Sequence, residues 1–282
     1  MLKQKFDNDF LMREFPLTQR DFDRIKDLAY KITGIKLSDH KKNMIYGRLA
    51  RRVRALSLEN FAQYCDLLEQ AGSEELSQFV NAITTNLTSF FREKHHFDYL
   101  QTVFIPELLA RGNGERRIRI WSAGCSTGEE AYSIAMVCHS VPALKSWDLK
   151  ILATDLDSNV VERGRSATYD KDRLERVPRE YEHCLQRNEL AGQVRIRPEV
   201  AKLVTFKQLN LLLGWPMKGP FDLIFCRNVV IYFDAPTQAR LFQRFAQILK
   251  PDGYLFIGHS ENLHAKSNEF HSLGKTMYRR KL

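Results

Sequence analysis

Two regimes of hydrophobic periodicity predict an α/β chain, with a parallel sheet and crossover helices preceded by a small all-α domain. Three observations carry this reading. Up to about residue 110, apolar side chains recur only at helical spacing. From Arg117 onward, short β-rich runs alternate with helical ones. Between the two, residues 111–115 are polar and turn-rich, which marks a boundary.

The first helix follows Thr18, whose spacing from Asp21 resembles a capping box; Phe22, Ile25, Leu28 and Ile32 follow helical spacing, and Gly34 sits where a C-cap glycine belongs. A second helix is predicted over about 41–56, with Ile45, Leu49, Val53 and Leu56 as its apolar stripe. Beside that stripe the 3.6-residue period gathers Lys41, Arg48, Arg51 and Arg52, either as a solvated face or as a docking surface. Ser57 and Ser73 are read as caps of two further short helices, the later one carrying Leu76, Phe79, Val80 and Ile83. A helical stretch with Phe97, Leu100, Ile105 and Leu108 follows. The helical domain is assigned to 1–90, a linker to 91–115 and the α/β domain to 116–282.

In the α/β part, strands are predicted at 117–122, 149–154, 221–226 and 254–258, and helices at 130–140, 159–164 and 236–249. The alternation lapses between Ala167 and Gln208. There, 193–197 and 202–206 look like a small antiparallel pair, so about 170–208 reads as an insertion.

With 44% hydrophobic and 27% charged residues, 14 Gly and 9 Pro, the chain has an ordinary globular composition. That excludes collagen-like and disordered classes. No apolar run reaches the roughly 18–20 residues that cross a bilayer. The opening residues alternate charge and apolarity, so a protein of the cytoplasm, without membrane insertion, is expected. Cys65, Cys125, Cys138, Cys184 and Cys226 are odd in number and contain no CxxC pair, which suits reduced thiols and no metal. The 43 Lys and Arg against 34 Asp and Glu give +9 and favour acidic partners.

Ligands of an open parallel sheet bind beyond the carboxyl ends of its strands, and four strand ends stand out. The first, 121–130, runs through Gly124 and Gly128 into a helix that starts with Glu129 and Glu130. The glycines admit close backbone approach. No P-loop lysine follows and there is no GxGxxG, and two carboxylates would repel a pyrophosphate, so a cationic ligand is indicated unless the pair only complements the helix dipole. At the second, Asp155 can accept from both hydroxyls of a ribose, while Asp157 reads as a helix cap. At the third, Asn210 suits either an adenine edge or a turn. At the fourth, Arg227, Asn228 and Tyr232 interrupt a hydrophobic run and are hard to explain as core. Together these fit an adenosyl ligand that carries an amino acid and no phosphate: S-adenosylmethionine, with S-adenosylhomocysteine as product.

The residues 82–93, 121–130, 225–234, 249–253 and 258–262 resemble the CheR family of chemotaxis receptor glutamate O-methyltransferases over about 15–280. The resemblance implies a helical substrate-recognition domain, a linker, and a class I, Rossmann-like methyltransferase domain with an inserted antiparallel β-subdomain. It implies that Asn86, Thr88 and Arg92 close over the cofactor. Glu129 and Asp155 would hold its amino group and ribose, and Asn210, Leu211, Asn228 and Val229 would line its adenine and methionine ends near Gly124. Arg92 and Tyr232 match the positions that orient the substrate carboxylate. The implied partner is the cytoplasmic helix bundle of a methyl-accepting chemotaxis receptor; if its methylation region is rich in Glu, the basic face of the second helix is its expected docking surface, the alternative being a merely solvated face. A monomer with no nucleic-acid partner is expected.

One departure concerns the insertion. Members that dock on a receptor tail peptide have a longer, glycine-rich hairpin loop, whereas 187–192 is short and holds one Gly, which speaks against tethering. Two rival functions compete with this one. A nucleic-acid methyltransferase draws support from +9, but base methylation uses Asn or Asp, two prolines and an aromatic where this chain has RNVV. A scaffold that binds S-adenosylmethionine without turnover is disfavoured by the presence of both Arg92 and Tyr232.

Overall fold

The computed structural model describes residues 13–70, 72, 74–111, 116–188, 192–263 and 267–282, and the chain divides into two compact units after Thr85. The first unit is helical. Helix α1 (Gln19–Thr33) starts at Thr18, whose side chain accepts from the N–H of Asp21 while the Asp21 carboxylate accepts from the Thr18 N–H. It ends at Gly34, left-handed at φ +71°, whose N–H donates to the carbonyl of Tyr30. Helix α2 (Lys42–Ala55) buries Ile45, Leu49 and Val53 as the period requires. Helix α3 (Phe61–Glu69) is capped by Asn60 and not by Ser57, which sits at φ +55° in the turn that leaves α2. Helix α4 (Glu75–Ile83) buries Phe79, Val80 and Ile83; the proposed Ser73 cap lies outside the described residues.

The second unit begins at Asn86, so the linker segment belongs with the α/β part, and the polar turn at 111–115, most of which lies outside the described residues, falls inside this unit and marks no boundary between units. Helix α5 (His95–Tyr99) continues through a π-turn (Leu100–Phe104) into α6 (Ile105–Ala110). Phe97, Leu100, Ile105 and Leu108 are buried in one core with Ile118, Ile120, Leu223 and Phe225.

The elements that follow are β1 (Arg117–Ala123), α7 (Glu129–His139), β2 (Asp148–Asp155), α8 (Ser158–Ser166), β3 (Thr168–Asp170), β4 (Leu185–Asn188), β5 (Gln193–Ile196), α9 (Pro198–Ala201), β6 (Val204–Gln208), β7 (Phe221–Cys226), α10 (Ala235–Ile248), β8 (Leu249–Ile257), β9 (Phe270–Gly274) and β10 (Met277–Arg280). Seven strands form one sheet in the order β6-β2-β1-β7-β8-β10-β9. The first five are parallel, and β10 and β9 close one edge antiparallel. Every residue of the central β7 is buried, with Leu223 and Phe225 in the core on one face and Ile224 and Cys226 in the core on the other. The winding direction reverses between β1 and β7, the place where such sheets open a crevice.

The predicted pairing inside the insertion is corrected here. Residues 193–196 pair with β3 and β4 in a separate three-stranded antiparallel sheet of order β3-β5-β4, whereas 204–208 form β6, the parallel edge strand beside β2, with Ile151 opposite Val204 and Asp155 opposite Gln208. A run with Val204 and Phe206 reads as strand but does not name its neighbour.

Candidate active site at the strand ends

The loop that leaves β1 is built from unusual backbone. Gly124 and Gly128 have φ of +84° and +97°, and Ser126 takes φ +50°. Two hydrogen bonds hold Ser126 there: its N–H donates to Asp155 Oδ2 at 2.8 Å, and its hydroxyl to the carbonyl of Asn86 at 3.0 Å. The other carboxylate oxygen of Asp155 accepts from the Asp157 N–H at 3.0 Å. Asp157 caps α8 by accepting from the Asn159 N–H, as predicted, and also accepts from Asn86 Nδ2 at 2.7 Å. Asn86, the glycine loop and the end of β2 are thus one knot. Burial pushes the Asp155 carboxyl up to about 6, against the pull of the backbone N–H groups of Asp157 and Ser126. A Cβ on Gly124 would stand 2.3 Å from Val229 Cγ2, so two of the predicted site residues pack directly on each other.

The two glutamates that open α7 have different partners. Glu129 is fully buried; its carboxylate accepts from the Thr127 hydroxyl at 2.6 Å and from Arg173 at 2.7 Å. Glu130 accepts from the Ser122 hydroxyl at 2.7 Å and from Arg227 at 3.0 Å. Arg227, its side chain 2% exposed, lies 3.3 Å from Glu93 and donates to the main-chain carbonyl of Arg92. Burial pushes the Glu93 carboxyl up, but Arg227 and His259 prevail and hold it at about 2. Arg227 is therefore core after all: a guanidinium can be buried where a carboxylate and a carbonyl take its N–H groups and a second carboxylate lies at ion-pair distance. The Arg92 side chain is half-buried and donates to the carbonyl of Leu87 at 2.8 Å.

A further buried carboxylate organises the loop after β7. Glu261 accepts from the N–H groups of Gly258, Asn228 at 3.0 Å and Ile231 at 3.3 Å, and burial raises its carboxyl. Asn228 is held at φ +60°, and a Cβ on Gly258 would stand 2.4 Å from its Nδ2. Tyr232, half-buried, ends the 3-10 turn Val230–Tyr232 that this clamp fixes. Asn210 adopts the turn role: its Oδ1 accepts from the Leu212 N–H at 2.9 Å, while Leu211 is buried against the core under α10. Thr88 is half-buried in the segment between Asn86 and Arg92.

Carboxylates and amides at the ends of β1, β2, β6 and β7, with no lysine in the glycine loop, suit a ribose and a cationic amino-acid group and do not suit phosphates. Residues 86–279 match the family model "CheR methyltransferase, SAM binding domain", and residues 20–84 match "CheR methyltransferase, all-alpha domain". The chain belongs to the CheR methyltransferase family. A "chemotaxis protein methyltransferase 2" of Pseudomonas aeruginosa is 43% identical over 272 residues, 94% of this chain and 95% of that protein. A "chemotaxis protein methyltransferase" of Salmonella typhimurium is 44% identical over 273 residues, 95% of this chain and 92% of that one. A "probable chemotaxis protein methyltransferase" of Rhizobium etli is 42% identical over 258 residues, 89% and 96% of the two. S-adenosylmethionine is the cofactor, and the acidic donor set fits it.

Sequence reasoning gave this CheR domain its strand-end residues, Arg227 and Glu130 among them, and missed the holding roles of Ser126, Arg227, Glu130, Glu93 and Glu261. Arg227 and Glu261 stand in the motifs that carry the family resemblance, but their roles depend on contacts 33 to 135 residues away. In the helical unit, the expected docking face is partly engaged within the unit. Arg48 donates to the carbonyls of Ala82 and Thr84 at the end of α4, and Arg52 forms a bidentate pair with the buried Glu75 at 2.7 and 2.6 Å. Arg51 is exposed and Lys41 half-buried at the start of α2. The five cysteines are buried free thiols, and no described helix is long and apolar enough to cross a membrane.

Proposed function

We propose that this CheR methyltransferase esterifies glutamate side chains on the cytoplasmic helix bundle of chemotaxis receptors, acting in the cytoplasm as a monomer. The observation that carries this reading is the joining of Arg92 and Tyr232 to one strand end. Arg227 at the exit of β7 donates to the Arg92 carbonyl, and Tyr232 stands on the turn that follows, clamped by Glu261. One cation and one phenol suffice for this chemistry. A glutamate of ordinary pKa, near 4.3, is already a carboxylate at neutral pH, so no general base is required.

When bound, the sulfonium of the cofactor supplies an activated methyl group. Asp155 would accept from its ribose and Glu129 from its ammonium, and Asn86, Thr88, Asn210, Leu211, Asn228 and Val229 would line the remainder, with Gly124 letting the backbone approach. Arg92 and the Tyr232 hydroxyl donate to the substrate carboxylate and aim it, and orientation alone can recover several kcal/mol of barrier. Nucleophile and electrophile lose charge together in the transition state, so the dry surroundings of Glu129 and Asp155 favour it. Arg51 and Lys41 are the members of the basic face best placed to meet an acidic receptor. The test is transfer of labelled methyl from S-adenosylmethionine to a receptor cytoplasmic fragment. Labelling that disappears when the fragment's methylation-region glutamates become alanine supports the reading; labelling of RNA and not of the fragment would overturn it.

A further inference from the structure

The carboxylate of Glu129 is fully buried, yet one of its partners comes from outside the sheet. Arg173 belongs to the 3-10 turn Lys171–Leu174 of the inserted segment, and its guanidinium lies 2.7 Å from Glu129 Oε1 while the Thr127 hydroxyl takes Oε2. This is no drifting surface arm. Just before the turn, β3 is pinned to the glycine loop: the buried Tyr169 hydroxyl donates to the carbonyl of Thr127 at 2.7 Å, and its ring meets Phe90 edge-on at 5.0 Å. Gly128 is kept free of a side chain by Tyr169 and by Phe206, since a Cβ there would stand 3.0 Å from the Tyr169 hydroxyl and 2.9 Å from the Phe206 ring. The Arg173 side chain is 40% exposed, so it is open to solvent while it pairs with the buried Glu129.

We propose that Arg173 is a cofactor-binding residue: with Glu129 it forms a pair of opposite charges that matches the two charges of the cofactor's amino-acid end, Glu129 taking the ammonium and Arg173 the carboxylate. The inference rests on the assignment of that ammonium to Glu129. Its physical basis is that a guanidinium offers five donors, of which the carboxylate of Glu129 uses one at 2.7 Å, so a second carboxylate can be taken without breaking the first contact. The inserted subdomain thereby contributes to the cofactor site, and the methyltransferase fold does not build that site alone.

Calorimetric titration with S-adenosylhomocysteine and with 5′-methylthioadenosine, which lacks the amino-acid end, separates the possibilities. Arg173→Ala should weaken S-adenosylhomocysteine about 10- to 100-fold, the range for one lost charge-assisted hydrogen bond, leave methylthioadenosine unchanged, and be partly rescued by Arg173→Lys. Unchanged or tighter binding of S-adenosylhomocysteine by Arg173→Ala, or equal weakening of both ligands, would overturn the proposal. Glu129→Gln distinguishes which reading has failed. If it weakens only S-adenosylhomocysteine while Arg173→Ala does nothing, Arg173 alone is removed from the site; if it too is silent, the placement of the ammonium at Glu129 falls with the proposal.

Discussion

Replacing Arg227 with methionine keeps most of the side-chain volume and deletes the charge, which isolates what the guanidinium does. At this position, 2% exposed, it serves Glu130 at 3.0 Å, Glu93 at 3.3 Å and the Arg92 carbonyl. Breaking a buried pair by removing one partner costs about 3–5 kcal/mol, because the other charge stays behind uncompensated. Of the two carboxylates, Glu93 gives a second figure, which Arg227 shares with His259. Glu93 is held at about 2 against an ordinary 4.5, a displacement equivalent to about 3 kcal/mol. A carboxylate whose folded value is depressed contributes stability above its unfolded pKa and loses it as pH falls towards the folded one. Urea unfolding at neutral pH should therefore show Arg227→Met less stable by about 3–5 kcal/mol, with the gap to the parent narrowing below pH 4.5. The double variant Arg227→Met, Glu93→Gln should lose less than the sum of the singles. A single variant within about 0.5 kcal/mol of the parent, the usual span for a surface change, or a gap that does not move with pH, refutes the account of this network.

Five further outcomes are expected. Tyr232→Phe should lower turnover more than ten-fold with cofactor affinity nearly unchanged, because the hydroxyl acts on the substrate carboxylate; initial rates together with calorimetry check the split. Asp155 must be ionised to accept from the ribose, so S-adenosylhomocysteine affinity should fall as pH drops through about 6, and Asp155→Ala should cost about 1–3 kcal/mol of binding and abolish that dependence. Glu261→Ala leaves three backbone N–H groups without their acceptor and should weaken cofactor binding and lower the melting temperature together, as read by calorimetry. Arg52→Ala strands the buried Glu75 and should destabilise the helical unit by about 2–3 kcal/mol in chemical unfolding. Arg51→Glu should leave stability within about 0.5 kcal/mol and slow receptor methylation only at low salt, because rim charges act mainly on encounter.

What the sequence disclosed follows the range of the interactions involved. The capping box of Thr18 and Asp21, the Gly34 stop and the apolar stripes of α1 and α2 are local, and they were legible residue by residue. The alternation after Arg117 gave the parallel sheet, because period and order are carried by the chain itself. Partners across space were not. Strand β6 has the pattern of any half-buried strand, so its pairing with β2 could not be distinguished from a hairpin with β5. Strand β3 has three residues, too few for a period. A helical wheel put Arg48 and Arg52 on one side of α2 but could not show that the end of α4 and Glu75 lie opposite. At the site, the strand-end positions of Asp155, Asn210 and Asn228 were read from where the runs end. The clamps that shape them, Ser126 onto Asp155 and Glu261 onto Asn228, join residues 29 and 33 apart.

The measurement that bears most directly on the whole account is the chemical nature of the product. Membranes containing the receptors, incubated with this protein and methyl-labelled S-adenosylmethionine, should acquire label in protein that mild alkali releases as methanol, the signature of a glutamyl methyl ester; the yield should collapse in Tyr232→Phe. Label that survives alkali, or that enters nucleic acid, would contradict a carboxylate as the methyl acceptor.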